Sequence, residues 1–262
     1  MGPPKSFFSD TLVSAINSVA AILKPFALVY LINNNLGTDA YGEIAVFLSS
    51  VALVSVLSSL GTGFSMKRHI STSENIKVKR RLFYSPINFQ LVLLTFYFVL
   101  GYAAINSVMD RISAQQFITF CFYYFVSIIF QYFLEYRRWI VDSRGFVVLS
   151  VTYNTLFLVT LLILFKFDLV EDVNQILIID AFIMLIIFAY LLLSVHREFG
   201  FFFGTFSFKE LIAEMKLGFP FAVGGLGEIT MATADRFMIV YFFGLLEAGL
   251  YSTGYMIGSL SL

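Results

Sequence analysis

The sequence is poor in charged residues. Lysine plus arginine and aspartate plus glutamate number 17 each, so charged residues are 13% of the 262 and the formal net charge is zero. A soluble domain usually has about 25% charged residues. Without a basic excess or a basic domain, we expect no nucleic-acid partner. Hydrophobic residues are 59% of the chain and the mean hydropathy is +0.85. One soluble core cannot bury that much apolar surface, which predicts an integral membrane protein.

Cysteine and histidine are also scarce. Cys121 is the single cysteine and lies in the apolar run FITFCFYYFV, which excludes an internal disulfide and predicts a buried thiol. The two histidines, His69 and His196, flank apolar segments in basic loops and show no metal-ligand spacing. We therefore expect neither a metal nor another cofactor.

Long apolar runs dominate what is present. A helix needs about 20 residues to cross the hydrocarbon core of a bilayer. The predicted spans are Leu12–Ile32, Ile44–Phe64, Phe89–Val108, Phe117–Leu134, Phe146–Phe165, Ile176–Val195, a seventh from Leu217 to about Phe243, and the beginning of an eighth at Gly249. The first run lacks a signal-peptide cleavage pattern, so we expect it to be retained. No segment alternates polar and apolar residues as a barrel strand would. The predicted fold is an all-α, polytopic membrane helical bundle.

Basic residues cluster in every second connection between spans. The even-numbered connections hold Lys67, Arg68, Lys77, Lys79, Arg80, Arg81, Arg137, Arg138, Arg144, Arg197, Lys209 and Lys216, whereas the odd-numbered ones hold Arg111 and Lys166. Because cytoplasmic loops are enriched in lysine and arginine, the N-terminus and the even-numbered connections are expected on the cytoplasmic side.

The connection before span seven, SFKELIAEMKLGFP, has its own pattern. Ser207 and Glu210 have the spacing of a capping box, in which each side chain binds a backbone N–H at the start of a helix. An apolar stripe is formed by Leu211, Ile212 and Met215, opposite Lys209, Glu210 and Glu214. Residues 201–216 are therefore predicted to form an amphipathic helix on the cytoplasmic surface.

Two segments of the chain repeat each other. LVYLINNNLGTDAYGEIAVF and FMIVYFFGLLEAGLYSTGYM both contain two glycines with four residues between them, next to apolar helices. Gly37 and Gly42 align with Gly244 and Gly249 at an offset of 207. The glycines predict a tight turn with unusual backbone angles. Six predicted spans separate the copies, so both copies run in the same direction. This indicates a parallel repeat and two lobes of six spans, with residues 1–200 as the first lobe and 217–262 as the start of the second.

The sequence also resembles a known transporter family. The segments LGTDAYGEIAVFLSSVALVSVLSSLGTGFSMKRHIS and LGFPFAVGGLGEITMATADRFMIVYFFGLLEAGLYSTGYMIGSL are similar to the polysaccharide-export branch of the multidrug/oligosaccharidyl-lipid/polysaccharide exporter superfamily. Within that branch the resemblance is to Wzx-type flippases of O-antigen and capsule repeat units. Because that superfamily usually has about twelve to fourteen spans, the resemblance implies a C-terminally truncated copy, either a fragment of a longer protein or an inactive remnant.

Several charges lie inside the predicted spans, where each one costs a few kcal/mol. Lys24 lies near the middle of span one, with Asn17 seven residues earlier on the same helical face. Glu228 lies near the middle of span seven, Asp235 and Arg236 follow towards its end, and Asp180 lies in span six. Charges in such positions line a polar cleft or neutralise one another.

The resemblance implies roles for these groups. It implies translocation of undecaprenyl-pyrophosphate-linked oligosaccharide across the bacterial inner membrane, in contact with membrane lipid and alongside polysaccharide polymerase and chain-length proteins. Pyrophosphate-binding candidates are Lys24, Arg236 and Asn17, and candidates for proton or sodium coupling are Glu228, Asp235 and Asp180. Structural alternatives remain: Lys24 pairs with an acid on a neighbouring helix, Arg236 pairs with Asp235, or Glu228 neutralises either cation.

Other functions are compatible with parts of this pattern. A drug or lipid exporter of the same superfamily fits a mixed acidic and basic cleft. A polytopic glycan polymerase or ligase is an alternative of another class, but it would be expected to carry a long periplasmic loop with acidic and basic groups, and the predicted loops are short. We expect a transporter with no catalytic residue.

Overall fold

The computed structural model describes residues 5–59, 61–63, 70, 73, 75–108, 114–139, 142–199 and 208–259. The helices of this part are α1 (Lys5–Asn35), α2 (Thr38–Ser59), α3 (Ile76–Val108), α4 (Ala114–Trp139), α5 (Ser143–Lys166), α6 (Val173–Phe199), α7 (Phe208–Phe242) and α8 (Leu245–Ser259). No strand occurs among these described residues. The predicted all-α polytopic bundle is confirmed. The predicted loop residues Lys67, Arg68, His69, Arg111 and Ser207 lie outside the described part.

Five of the helices are long and apolar enough to cross a membrane. These segments are Ala15–Asn35, Thr38–Ser59, Ala114–Arg138, Arg144–Lys166 and Val173–Arg197. They overlap the predicted spans one, two, four, five and six. The other three helices are not among them: α8 has only 15 residues, and α7 carries Glu228, Asp235 and Arg236 within its apolar part. The protein is a multi-pass membrane protein.

Aromatic side chains form much of the packed interior. Phe83 of α3 and Tyr136 of α4 are fully buried, and their ring centroids lie 4.7 Å apart. Phe133 of α4 makes edge-to-face contacts with Phe83 and with Phe188 of α6, at 5.0 Å in each case. Because such pairs contribute beyond the area they bury, they fix α4 between α3 and α6.

The turns between α1 and α2 and between α7 and α8 have the same backbone structure. Gly37 has φ +97° and Gly244 has φ +107°. In the first turn, the amides of residues 36 and 37 donate to the Ile32 carbonyl at 2.8 and 3.1 Å. In the second, the amides of residues 243 and 244 donate to the Ile239 carbonyl at 2.8 and 3.2 Å. Every partner is displaced by 207 residues, so the predicted repeat is present in the backbone, and the predicted turn geometry is confirmed for these two glycines.

The other two glycines of the repeat do not belong to the turns. Gly42 and Gly249 lie inside α2 and α8, where the helices approach so closely that a Cβ on Gly42 would overlap the backbone of Leu245. A Cβ on Gly249 would overlap the Thr38 carbonyl in the same way. The contacts are reciprocal under the 207-residue offset, as expected across a pseudo-two-fold axis. These glycines serve helix packing rather than turn formation, because the backbones themselves touch.

Helix α7 runs antiparallel to α2. A Cβ on Gly61, two residues after α2, would overlap Gly218 near the start of α7. Ser49, earlier in α2, binds Arg236 near the end of α7. Since α8 turns back along α7, α2 and α8 run in the same direction. This is the parallel relation that the sequence repeat predicts.

The predicted connecting helix is the beginning of α7. Helix α7 runs without a break from Phe208 to Phe242, so residues 208–216 continue directly into span seven. Leu211 is buried, Ile212 is exposed and Glu214 is buried. Glu214 therefore does not lie on an exposed charged face, as the sequence pattern predicted. The reason is tertiary: Glu214 and Leu211 face α3, where they line a small cavity with Arg81. The division of the chain into two lobes stays a prediction.

Candidate functional site

Lys24 and Asp180 form an ion pair inside the bundle. The Lys24 Nζ lies 3.6 Å from Asp180 Oδ1, and the two side chains are 20% and 9% exposed. Helix α1 supplies the lysine and α6 the aspartate, which are brought together because α1 packs against α5 and α5 packs against α6. The structural alternative for Lys24, pairing with an acid on another helix, is thus confirmed, and the acid is Asp180.

Two tyrosine hydroxyls complete the coordination of Asp180. Tyr153 donates to Asp180 Oδ1 at 2.7 Å, and Tyr123 donates to Oδ2 at 3.0 Å. Tyr153 also accepts a hydrogen bond of 2.6 Å from the Lys24 ammonium, so its hydroxyl bridges the two charges. Each carboxylate oxygen therefore has a donor, which stabilises the charge where bulk water is excluded.

Aromatic rings surround the Lys24 ammonium. Its Nζ lies 4.0 Å from the ring centroid of Tyr153 and 4.5 Å from that of Phe157. Cation–π attraction of this kind is strongest when the cation is removed from water. Lys24, Asp180, Tyr153, Tyr123 and Phe157 are called the lysine cluster below.

Arg236 of α7 belongs to a second group. Its Nη1 donates to Ser49 Oγ of α2 at 3.0 Å, and its guanidinium carbon lies 5.2 Å from the ring centroid of Tyr255 on α8. Asp235 accepts from the Arg236 backbone amide at 2.8 Å and from the Tyr251 hydroxyl. We call these five residues the arginine cluster. It lies where α2, α7 and α8 meet.

The charge of Arg236 is not balanced by an acid within its cluster. Asp235 is the adjacent residue, but its carboxylate binds the backbone amide and Tyr251, and no ion pair joins it to the guanidinium. The Arg236 Nε is buried and has no hydrogen-bond partner among the described residues. The predicted Asp235–Arg236 pair is therefore only a backbone contact, and the Nε of the guanidinium can donate to another acceptor.

The other predicted site residues stand apart. Glu228 is exposed and makes no hydrogen bond or ion pair with the described residues, so it neutralises neither Lys24 nor Arg236 there. Asn17 is partly buried and its Oδ1 has no partner among the same residues.

Helix α2 lies between the two clusters. Its Phe47 ring packs edge-on against Tyr123 at 5.4 Å, and two residues later Ser49 binds Arg236. No hydrogen bond or ion pair joins a member of the lysine cluster to a member of the arginine cluster. The structure therefore brings Lys24 together with Asp180, but it places Arg236 in a separate environment.

The sequence prediction missed the tyrosines and Ser49. With 14 tyrosines in the chain, no spacing distinguishes Tyr123, Tyr153, Tyr251 and Tyr255 from those that face lipid. A signal was present in principle, because a buried charge needs polar neighbours and tyrosine supplies a hydroxyl from an apolar helix face.

The fold and clusters define a multi-pass helical membrane protein with ionised groups inside the bundle. Searches found no matching family model and no significantly similar curated protein. A solved structure that bears only the name "protein A" has a similar fold, with a TM-score of 0.67 and 16% sequence identity. The match covers 98% of this chain and 62% of that one, so more than a third of the solved chain has no counterpart here. At this identity the similarity shows the fold alone.

Proposed function

We propose that the protein translocates a polyprenyl-pyrophosphate-linked oligosaccharide across the bacterial inner membrane, as the resemblance to Wzx-type flippases implies. The observation that carries this proposal is the environment of Arg236. The guanidinium lies where α2, α7 and α8 meet, forms no ion pair within its cluster and has a buried Nε without a partner among the described residues. Such a group binds phosphate oxygens strongly where the dielectric constant is low.

The position of Arg236 also supports the proposal. The arginine cluster lies at the seam between α2 and the α7–α8 hairpin, which is where the two copies of the repeat pack together. In transporters built from repeats, substrates bind at the interface between the repeats. A pyrophosphate would accept hydrogen bonds from Arg236, while Tyr255 and Tyr251 offer ring faces to a sugar.

The lysine cluster suits ion coupling better than permanent substrate binding. Asp180 neutralises Lys24 in this conformation, so the lysine attracts an anion only weakly. Binding of a proton or a sodium ion at Asp180 would weaken its ion pair with Lys24 and leave the ammonium free to attract the pyrophosphate. Of the three coupling candidates, Asp180 is the one that forms an ion pair with a candidate substrate cation, whereas Asp235 contacts only the backbone amide of Arg236. Glu228 forms no ion pair with the described residues.

Asn17 keeps its role as a candidate, because its buried oxygen lacks a partner and an oligosaccharide hydroxyl could donate to it.

A test uses the native gene in its own host. Arg236→Ala should abolish surface polysaccharide and cause lipid-linked repeat units to accumulate in the inner leaflet, while Arg236→Lys should retain part of the activity because it keeps the charge. Lys166→Ala, at the exposed end of α5, is the matched control and should behave as wild type. Membrane insertion is measured in each strain by immunoblotting of membrane fractions.

Two outcomes would contradict the proposal. Normal surface polysaccharide in an inserted Arg236→Ala variant would exclude a substrate role for this arginine. If deletion of the gene left the repeat units translocated but unpolymerised, that result would favour the polymerase alternative.

A further inference from the structure

A second candidate binding site lies between α3, α4 and α6, and no member of either cluster lines it. It is an apolar cavity of about 240 Å³. Helix α4 forms its floor with Phe125, Ile129 and Phe133, and α3 and α6 form its walls. A space of this size is unusual inside a protein, where packing is close. Its lining offers almost no polar partner, so water is a poor occupant.

The length of this apolar groove matches one leaflet of a bilayer. Along α6 the lining runs from Leu185 to His196, which at 1.5 Å per residue is about 16 Å. The hydrocarbon core of a bilayer is about 30 Å thick, so one leaflet contributes about 15 Å. A groove that is apolar over this distance and lies between membrane helices fits a single lipid hydrocarbon chain.

The groove has one polar end. Tyr84 and Asn88 of α3 and His196 of α6 line it where α3 begins and α6 ends. Arg197, the residue after His196, is exposed, and so is Lys77 in the first turn of α3. Cations at the mouth of an apolar groove favour a lipid whose headgroup is negatively charged.

We propose that this groove binds one acyl chain of an anionic phospholipid whose phosphate lies against Arg197. The site serves no step of the proposed translocation and needs only that the helices lie in a membrane. The bound lipid would fill the gap between α3 and α6 and fix α3 against the bundle.

Quenching of tryptophan fluorescence by brominated lipids tests this proposal. In a Trp139→Phe background, Leu192→Trp places a fluorophore in the groove, and Leu193→Trp, at a position that is 61% exposed, places one against ordinary surrounding lipid. The proteins are reconstituted in phosphatidylcholine that contains a small fraction of brominated phosphatidylglycerol or brominated phosphatidylcholine. We expect the Leu192→Trp fluorophore to show an apparent affinity roughly fivefold higher for the anionic lipid, the effect of one basic residue near the membrane surface. The Leu193→Trp fluorophore should show a much smaller preference, and Arg197→Ala should remove the preference of Leu192→Trp.

Equal quenching by the two lipids at Leu192→Trp would overturn the proposal, as would a preference of equal size at both positions. Relief of quenching by small amounts of polyprenyl phosphate would also overturn it, because the groove would then hold the tail of a polyprenyl lipid. If Leu192→Trp does not fold, native mass spectrometry of the wild-type protein and Arg197→Ala decides the matter: retained phosphatidylglycerol must decrease in the variant.

Discussion

At the scale of single residues, removing only one partner of the Lys24–Asp180 pair is expected to lower the stability of the bundle strongly. An ion pair held away from water loses most when one partner is removed, because the other charge remains buried. Here the Tyr153 hydroxyl hydrogen bonds to both Lys24 and Asp180. Removing either charged side chain therefore also removes one hydrogen bond of this hydroxyl.

We predict that Asp180→Asn or Lys24→Met lowers the free energy of unfolding by about 3–5 kcal/mol, the usual loss for a broken buried pair. The double variant Lys24→Met/Asp180→Asn should lose less than the sum of the two single losses, since no charge is left buried. Thermal unfolding in detergent measures the difference, with Glu171→Gln in an exposed loop as the control. Additive losses in the double variant would mean that the two side chains do not interact.

The sequence predicts one half of each cluster. Lys24 and Arg236 attract notice because a charge within an apolar run is costly, and this can be seen without a structure. Their partners could not be chosen, because pairing depends on which helices pack together. Asp180 and Glu228 are equally plausible partners for Lys24 in the sequence, and only the packing of α1 against α5 and α6 selects Asp180.

At the scale of helices, the crossing of α2 and α8 depends on the absence of side chains. Gly42 and Gly249 each lie against backbone atoms of the opposite helix. Gly254, one turn further along α8, has no atom within 4 Å of the place where a Cβ would stand.

We predict that Gly42→Ala and Gly249→Ala each destabilise the protein by about 1–3 kcal/mol, because an added Cβ forces the two helices apart. Gly254→Ala should be neutral or stabilising by up to about 1 kcal/mol, since alanine is the better helix former. The shift in unfolding temperature is the measurement. Equal shifts for all three variants would show that the crossing tolerates a side chain.

The repeat could be predicted from the sequence, but the structural role of each glycine could not. Gly37 and Gly42 are equally visible in the pattern, but only Gly37 has a positive φ. The role of Gly42 depends on Leu245, about 200 residues away, and no local pattern contains that contact. Glu214 shows the same limit. The sequence pattern predicts that it lies on the solvated face of a surface helix, but it is buried because α3 lies beside it.

At the scale of the whole molecule, the bundle was predictable because each span must be apolar over about 20 residues. Which helices contact one another could not be predicted, apart from the contacts that the repeat implies. Helix α4 contacts α2, α3, α5 and α6, a central position that nothing in its sequence distinguishes.

The predicted orientation in the membrane rests on the basic loops and is open to a direct test. In a Cys121→Ser background, Glu171→Cys lies between α5 and α6, and Ile76→Cys lies at the start of α3 beside several basic residues. Because basic connections stay in the cytoplasm, an impermeant maleimide should label Glu171→Cys in intact cells and Ile76→Cys only after permeabilisation. The reverse pattern would invert the predicted topology and the proposed direction of transport.

The Lys24–Asp180 pair also constrains how the chain is made. Asp180 is synthesised 156 residues after Lys24, a delay of roughly 8–30 s at about 5–20 residues per second. During that time α1 holds a lysine whose counter-charge does not yet exist. Until α6 arrives, the long Lys24 side chain must extend towards the membrane surface or α1 must wait beside the insertion machinery. Formation of the pair is then a late step of biogenesis, one that locks the first helix to the sixth.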